Sequence, residues 1–268
     1  MEGLAIGDMT QLKLGKLAPK HPVGLNEFKT YCKALPVPPE AVEVPDVSVW
    51  GMMLNDTYGD CTIAGVGHII VAANAEVDER DAVPDDAEIK AQYFALTGGE
   101  DTGCVEADVL HTWYRVGLFT AKDGGVLHDI EDDLVELVRH PKRMSKIAGY
   151  APVSAQNITD IHNAIDLFGH CYVGVQCPQS AQEQFQDGQP WTVVPGSPII
   201  GGHCIVFVGY DSNYLYAVTW GSTAAVSYPW WANYGDEAWV VIPQEFVEAG
   251  QSATVDIDAL RADIDALD

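Results

Sequence analysis

The chain has 268 residues, of which 47% are hydrophobic and 20% charged, and its 39 acids against 14 bases give a formal charge of −25. Such a composition can bury a substantial core in one large domain or two small ones, which excludes a disordered chain and one that needs metals or staples to fold. The negative charge repels phosphate backbones and anionic lipid heads, so neither a nucleic acid nor a membrane surface is expected as a partner.

Residues 1–45 are poor in periodicity and rich in proline, as in "LAPKHPVG" and "ALPVPPEAVEVP", which predicts an extended arm. The start lacks a basic segment followed by a compact apolar one, and no run of eighteen apolar residues follows. No secretory leader or spanning helix is expected, and a cytoplasmic setting with six free, scattered thiols is. At Cys61 a continuous apolar run begins, "CTIAGVGHIIVAANAEVDE", preceded by Gly59 and Asp60. It predicts a buried helix with Asp60 as N-cap and Cys61 in the first turn. Further helices are expected at 105–117, from Val105, Val109, Trp113 and Val116, and at 158–168, from Ile158, Ile161, Ile165 and Phe168. Between them, 121–149 is charged and loop-rich.

The second half changes character. "CYVGVQ", "GGHCIVFVGYD", "YLYAVTWG" and "AWVVIP" are β-branched and aromatic runs bounded by Gly, Pro, Asn and Asp, and they predict strands. Helices first and strands second give an α+β protein of two packed subdomains with a cleft between them. In the last eighteen residues Ile257, Leu260, Ile264 and Leu267 form a narrow apolar stripe on an acidic helix. Two heptads are marginal alone, so the stripe is expected to dock, either on its own body or on another chain.

A thiol acts as nucleophile in its thiolate form, which a helix N-terminus and a neighbouring imidazolium both favour. Cys61 has the first by position. Of eight histidines, His203 has the context for the second, since Gly201 and Gly202 let its strand approach another backbone closely. His170, which begins a strand after a helix, is the runner-up. His68, His111 and His162 fall in helical patterns, and His21, His128 and His140 in loops.

At these residues the chain resembles the papain-like cysteine peptidases. "EVPDVSVWGMMLNDTYGDC" looks like the segment leading to the family's nucleophile, with Asn55 six residues before Cys61, where the family carries its oxyanion-hole glutamine. "TGCVEADVLHTWYRVGL" and "DIHNAIDLFGHCYVGVQ" are similar to its second helix and to its helix-then-strand element. "FQDGQPWTV" with "GGHCIVFVGYD" resembles the approach to the catalytic histidine, and "VTWGS" the Asn-Ser-Trp-Gly segment; "GDEAWVVIPQEFV" resembles the closing strand. The resemblance implies a papain-like domain over about 46–250, its helical left part about 46–150 and its antiparallel β right part about 151–250. It also implies acyl transfer, with Cys61 as nucleophile, His203 as base and acid, and the Cys61 N–H with Asn55 as the oxyanion hole. Trp220 is expected to shield His203 from water.

The sequence departs from the family at several points. Val218 stands where the family has the residue that orients the histidine, and Thr219 could take that role only through a shift of its strand. Thr62 replaces the tryptophan after the nucleophile, and Asp60 beside the thiol raises its pKa. The variant pattern is similar to papain-like proteins of bacteria and their tailed phages.

No cofactor or metal is expected. The two "GHC" triplets cannot chelate as units, because adjacent strand residues face opposite ways, and "HDIEDDLVE" lacks the glycine of a calcium loop. Two functions follow. One is a cysteine hydrolase of peptide, isopeptide or related amide bonds with a Cys-His dyad, its partner a peptide or protein substrate. The other is a catalytically silent scaffold in an assembly such as a tailed-phage virion, held to protein partners through the arm (1–45) and the tail (251–268). An open groove at Cys61 favours the first and an arm filling it the second, while a removable propeptide-like arm is a third possibility.

Overall fold

A computed structural model describes residues 12–75, 83–118, 146–248, 250 and 254–267. His128, His140 and the "HDIEDDLVE" segment lie outside them. The architecture is α+β. Helices α1 (Cys61–Ala75), α2 (Asp86–Thr97) and α3 (Glu106–Arg115) come first. They are followed by β1 (Ile147–Val153), α4 (Ile158–Phe168), β2 (Cys171–Pro178), α5 (Gln179–Gln186) and β3 (Ile199–Tyr210). After these come β4 (Tyr214–Thr219), β5 (Ser222–Ser227), α6 (Tyr228–Tyr234), β6 (Gly235–Pro243), α7 (Gln244–Glu248) and α8 (Ile257–Asp265).

The six strands form one sheet in the order β1-β6-β2-β3-β4-β5, every neighbouring pair antiparallel. The chain thus makes a helical part and a β part, as expected, although β1 starts at Ile147, just before the boundary drawn at about 150. The α4 span coincides with the 158–168 expectation. Asn157 caps its start by accepting from the Thr159 N–H, and Gly169 ends it in the left-handed conformation. Helix α1 is buried from Cys61 through Ala72, which is why its sequence shows no polar face. It packs on β3 and β4, and the Tyr172 hydroxyl of β2 donates to the Thr62 carbonyl at 2.8 Å. Sheet and helix meet so that the first turn of α1 abuts the start of β3.

The proline-rich arm lies on the protein's own body. Residues 12–17 cross the region between α1, α3 and β3; Phe28–Tyr31 form a 3₁₀ turn; Val42 pairs with Tyr210 at the end of β3. The tail docks on its own chain too. Ile257, Leu260 and Ile264 are buried, with α8 against β1 and the 3₁₀ turn. Arm and tail are tied together through Lys33 N–H to Thr254 O (3.0 Å), Asp256 N–H to Tyr31 O (2.7 Å) and Tyr31 hydroxyl to Asp263 (2.7 Å). Among the described residues no helix is long and apolar enough to cross a membrane, and the six cysteines are free.

Candidate active site

Cys61 opens α1, where the helix dipole favours a thiolate. Asp60 stands before it. Its carbonyl accepts from the Ile63 and Ala64 N–H groups, while its carboxyl takes the Asn55 amide at 3.1 Å instead of capping the helix. Asn55 comes from a tight loop in which Met53 (φ 54°) and Leu54 (φ 63°) both adopt left-handed backbone. The second Asn55 N–H goes to the Tyr58 carbonyl at 3.3 Å. Both donors of the expected oxyanion-hole amide are therefore engaged within the loop.

His203 enters on β3, fully buried. Its Nε2 meets the Thr219 hydroxyl at 2.7 Å. Thr219 thus reaches the histidine from β4, which pairs with β3 at Val206–Val218 and Phe207–Ala217 and shifts register between Phe207 and Gly209. Alternate strand residues face opposite sides, so the Thr219 position is the one that serves the imidazole, and Val218 is core. A proton on Nε2 donated to Thr219 leaves Nδ1 with the lone pair a general base needs. Nδ1 has no hydrogen-bond partner among the described residues.

Trp220 is stacked on the ring at 4.3 Å between centroids and 14° between planes. It occupies φ 44°, followed by Gly221 at φ 75°, in the two-residue turn that joins β4 to β5. Such turns want Asn or Gly at the first position. A tryptophan there costs about 1–2 kcal/mol of backbone strain, and the stack on His203 and a hydrogen bond from Nε1 to Lys13 O (3.1 Å) hold it in place.

The N–H of Cys204, next to His203, donates to the Cys61 sulfur at 3.4 Å. The Gly15 N–H also faces that sulfur. The first comes from β3 and the second from the arm, which is docked over the thiol. Lys16 N–H donates to Gly202 O (3.1 Å), Cys104 N–H to Gly15 O (2.9 Å) and Leu17 N–H to Cys104 O (2.9 Å). Lys13 N–H donates to Asn55 O (3.0 Å) and the Gln182 amide to Leu12 O (3.0 Å). The approach is closest at glycines: a side chain on Gly103 (φ 77°) would overlap the Gly15 carbonyl, and one on Gly15 the Gly59 carbonyl. Cys61 is 1% exposed beneath this strap.

Burial dominates the electrostatics. It pushes the Cys61 thiol up to about 12, with Asp60 and Glu106 adding to the shift and the Cys204 and Gly15 N–H groups opposing it. It also drives His203 down to about 3, with a smaller contribution from His68. Burial, partly offset by the Asn55 hydrogen bond, raises Asp60 to about 8. The arm-covered site therefore holds a neutral thiol and a neutral imidazole.

Lys16 points away from the thiol into a buried acidic recess. Its Nζ lies 2.8 Å from Glu237 and 3.1 Å from Asp236, and it donates to the Leu17 carbonyl at 3.2 Å. These arm and recess residues were not picked out in the sequence. A visible signal existed, since "LKLGKLAPK" gathers Lys13, Lys16 and Lys20 in a chain with only 14 bases. His170 is buried before β2 against the backbone of Phe168 and Val241, and burial lowers it to about 4.

No protein-family model matches the chain, and no curated protein sequence matches it. Solved structures are similar in fold. Xylellain, a cysteine protease from Xylella fastidiosa, aligns over 89% of this chain and 99% of its own, with a TM-score of 0.64 at 15% identity. Digestive procathepsin L 3 of Tenebrio molitor larval midgut aligns over 87% and 77%, at 0.57 and 12%. Procathepsin B S9 from Trypanosoma congolense aligns over 88% of each chain, at 0.55 and 10%. The fold is papain-like.

Proposed function

We propose that the chain is a cysteine hydrolase of peptide, isopeptide or related amide bonds, held latent by its own residues 12–17. One observation carries this reading: an extended segment pairs through its main chain with both cleft walls, at Cys104 and at Gly202, and sets a backbone N–H on the Cys61 sulfur. Main-chain pairing of an extended segment is how a groove takes a peptide. The arm thus marks the track a substrate follows.

With the arm displaced, water returns, and the burial that holds Cys61 up and His203 down is relieved. Proton transfer from thiol to Nδ1 of His203 then gives a thiolate at the N-terminus of α1. The sulfur adds to the substrate carbonyl, a C–S bond forms and the oxygen takes the π pair, held by the Cys61 N–H and by an Asn55 amide turned from Asp60. Collapse breaks the C–N bond, the imidazolium protonates the leaving amine, and water hydrolyses the thioester. Thr219 orients His203 but is neutral, so it adds no charge to stabilise the imidazolium. Full-length Gly15→Ala protein, in which the arm is dislodged, is expected to cut a mixture of unstructured peptides, with new termini read by mass spectrometry and none made by Gly15→Ala/Cys61→Ala. Absence of new termini from the single variant sinks the reading.

A second reading, the silent scaffold, is favoured by the arm filling the groove at Cys61, by the engagement of both Asn55 donors and by the burial of the Lys16 ammonium against Glu237. In that case the body serves an assembly, such as a phage particle, and Cys61 stays inert after the arm is dislodged.

A further inference from the structure

The recess that holds Lys16 is built around three carboxylates. Glu237 is fully buried and already accepts from the Trp239 indole at 3.0 Å; Asp236 is 17% exposed. Glu106, first residue of α3, is fully buried, and neither of its oxygens accepts from a nitrogen or oxygen donor among the described residues, the Cys204 thiol lying against it. Gly174 floors the recess: a side chain there would overlap Lys16 Cε and come within 2.7 Å of Glu237 Cγ. The absence of a side chain at Gly174 thus makes room for the Lys16 stem beside Glu237 and Asp236. Burial alone lowers the pKa of an ammonium; here the neighbouring Glu106, Glu237 and Asp236 outweigh it and raise Lys16, while burial in turn raises Glu237, and Glu106 well above the ordinary carboxylate range. A cation inside a protein requires compensation of this kind, and a cation in the recess favours the ionised form of the carboxyls around it.

The recess also has a fixed relation to the thiol. Gly15 faces the Cys61 sulfur, and Lys16 is the next residue, with its N–H on Gly202, one residue before His203. From this geometry we infer that the Glu106–Asp236–Glu237 recess is a specificity subsite for a lysine or arginine side chain of a peptide substrate, one residue removed from the residue over the thiol. Lys16 occupies it in the latent chain as a substrate-like plug. This rests on the hydrolase reading above and adds the substrate class to it.

The test uses the full chain carrying Gly15→Ala, which dislodges the arm, together with Lys16→Ala, which removes the plug. Its reagents are N-acetyl-X-Ala chloromethyl ketones in which X is Lys, Arg, Leu or Glu, so that the substrate runs against the direction of the arm and X, N-terminal to the residue at the thiol, meets the recess. The Cys61 thiolate displaces chloride, forming a C–S bond to the ketone's methylene, and the labelled peptide is read by mass spectrometry; iodoacetamide, which has no side chain to seat, runs in parallel. The expected result is Cys61 labelling at least about ten-fold faster for Lys and Arg than for Leu, slowest for Glu, with the preference lost in Gly15→Ala/Lys16→Ala/Glu237→Gln, where the Trp239 hydrogen bond can be kept. Fast labelling by iodoacetamide and by all four ketones alike overturns the subsite and leaves the hydrolase reading standing. If Cys61 reacts with none of the reagents, the hydrolase reading falls and the subsite falls with it.

Discussion

Replacing Gly15 with alanine puts a methyl group into the backbone of Gly59. A Cβ built on Gly15 lies 2.6 Å from Gly59 Cα and closer still to its carbonyl, whereas non-bonded carbons settle at about 3.5–4.0 Å. Backbone cannot rotate away as a side chain can. Overpacking of this kind costs about 1–3 kcal/mol, and the arm escapes it by leaving the cleft. The docked-to-free ratio then falls roughly 5- to 150-fold. Since the thiol is reachable only when the arm is off, iodoacetamide should alkylate Cys61 faster by that factor than in the unmodified chain at neutral pH, measured thiol by thiol with peptide mass spectrometry. Cys171 and Cys177, buried in β2, should stay protected, which separates arm release from unfolding. An unchanged Cys61 rate, or all buried thiols rising together, refutes the reasoning.

Thr219→Val removes the 2.7 Å partner of His203 Nε2 and leaves a buried nitrogen unsatisfied. A loss of about 1–3 kcal/mol in urea unfolding is expected, with slower Cys61 alkylation in the Gly15→Ala background; equal alkylation rates contradict a positioning role. His170 is held by burial at about 4 against an ordinary 6.5, so as pH falls the unfolded chain takes that proton first. Its contribution is complete above about pH 6.5 and is lost below it at up to about 1.4 kcal/mol per pH unit. Between about pH 6.5 and 4.5 the unmodified chain should therefore lose roughly 2–3 kcal/mol more stability than His170→Leu; equal losses in urea melts contradict this. Leu260→Ala opens a cavity where α8 packs on Gly149 of β1. It should cost about 2–5 kcal/mol, seen as a lower melting temperature, and a variant as stable as the parent would mean that the tail docks elsewhere.

What the sequence disclosed was local. The Gly59–Asp60 punctuation before an unbroken apolar run located the head of α1, and Asn157 with Gly169 bounded α4. The tail's stripe was readable because its spacing is helical. Helix α2 went unread although it carries its own signals, an Asp85–Glu88 capping box and a left-handed Gly98. Strand β1 was hidden by Pro152, which the edge of a sheet tolerates, and by lying next to the charged 121–149 stretch. Thr219 could be named beside His203, but its bond to the imidazole was harder to read, because matching the segment residue for residue puts Val218 where β4 presents Thr219. The path of the arm lay beyond sequence reasoning altogether. It depends on glycines distant in sequence, Gly15, Gly59 and Gly103, meeting in space, and on a cation and carboxylates 90 to 221 residues apart finding one recess.

The most direct measurement of the central claim is the rate of Cys61 alkylation by iodoacetamide across about pH 5–9 in full-length Gly15→Ala and Gly15→Ala/His203→Ala. A latent hydrolase predicts rapid reaction already near pH 6, well below the ordinary thiol range of about 8.5, and loss of that reactivity without His203. A rate that climbs only above about pH 8 and is the same in both proteins contradicts it, because the thiol then behaves as a buried cysteine and not as a nucleophile.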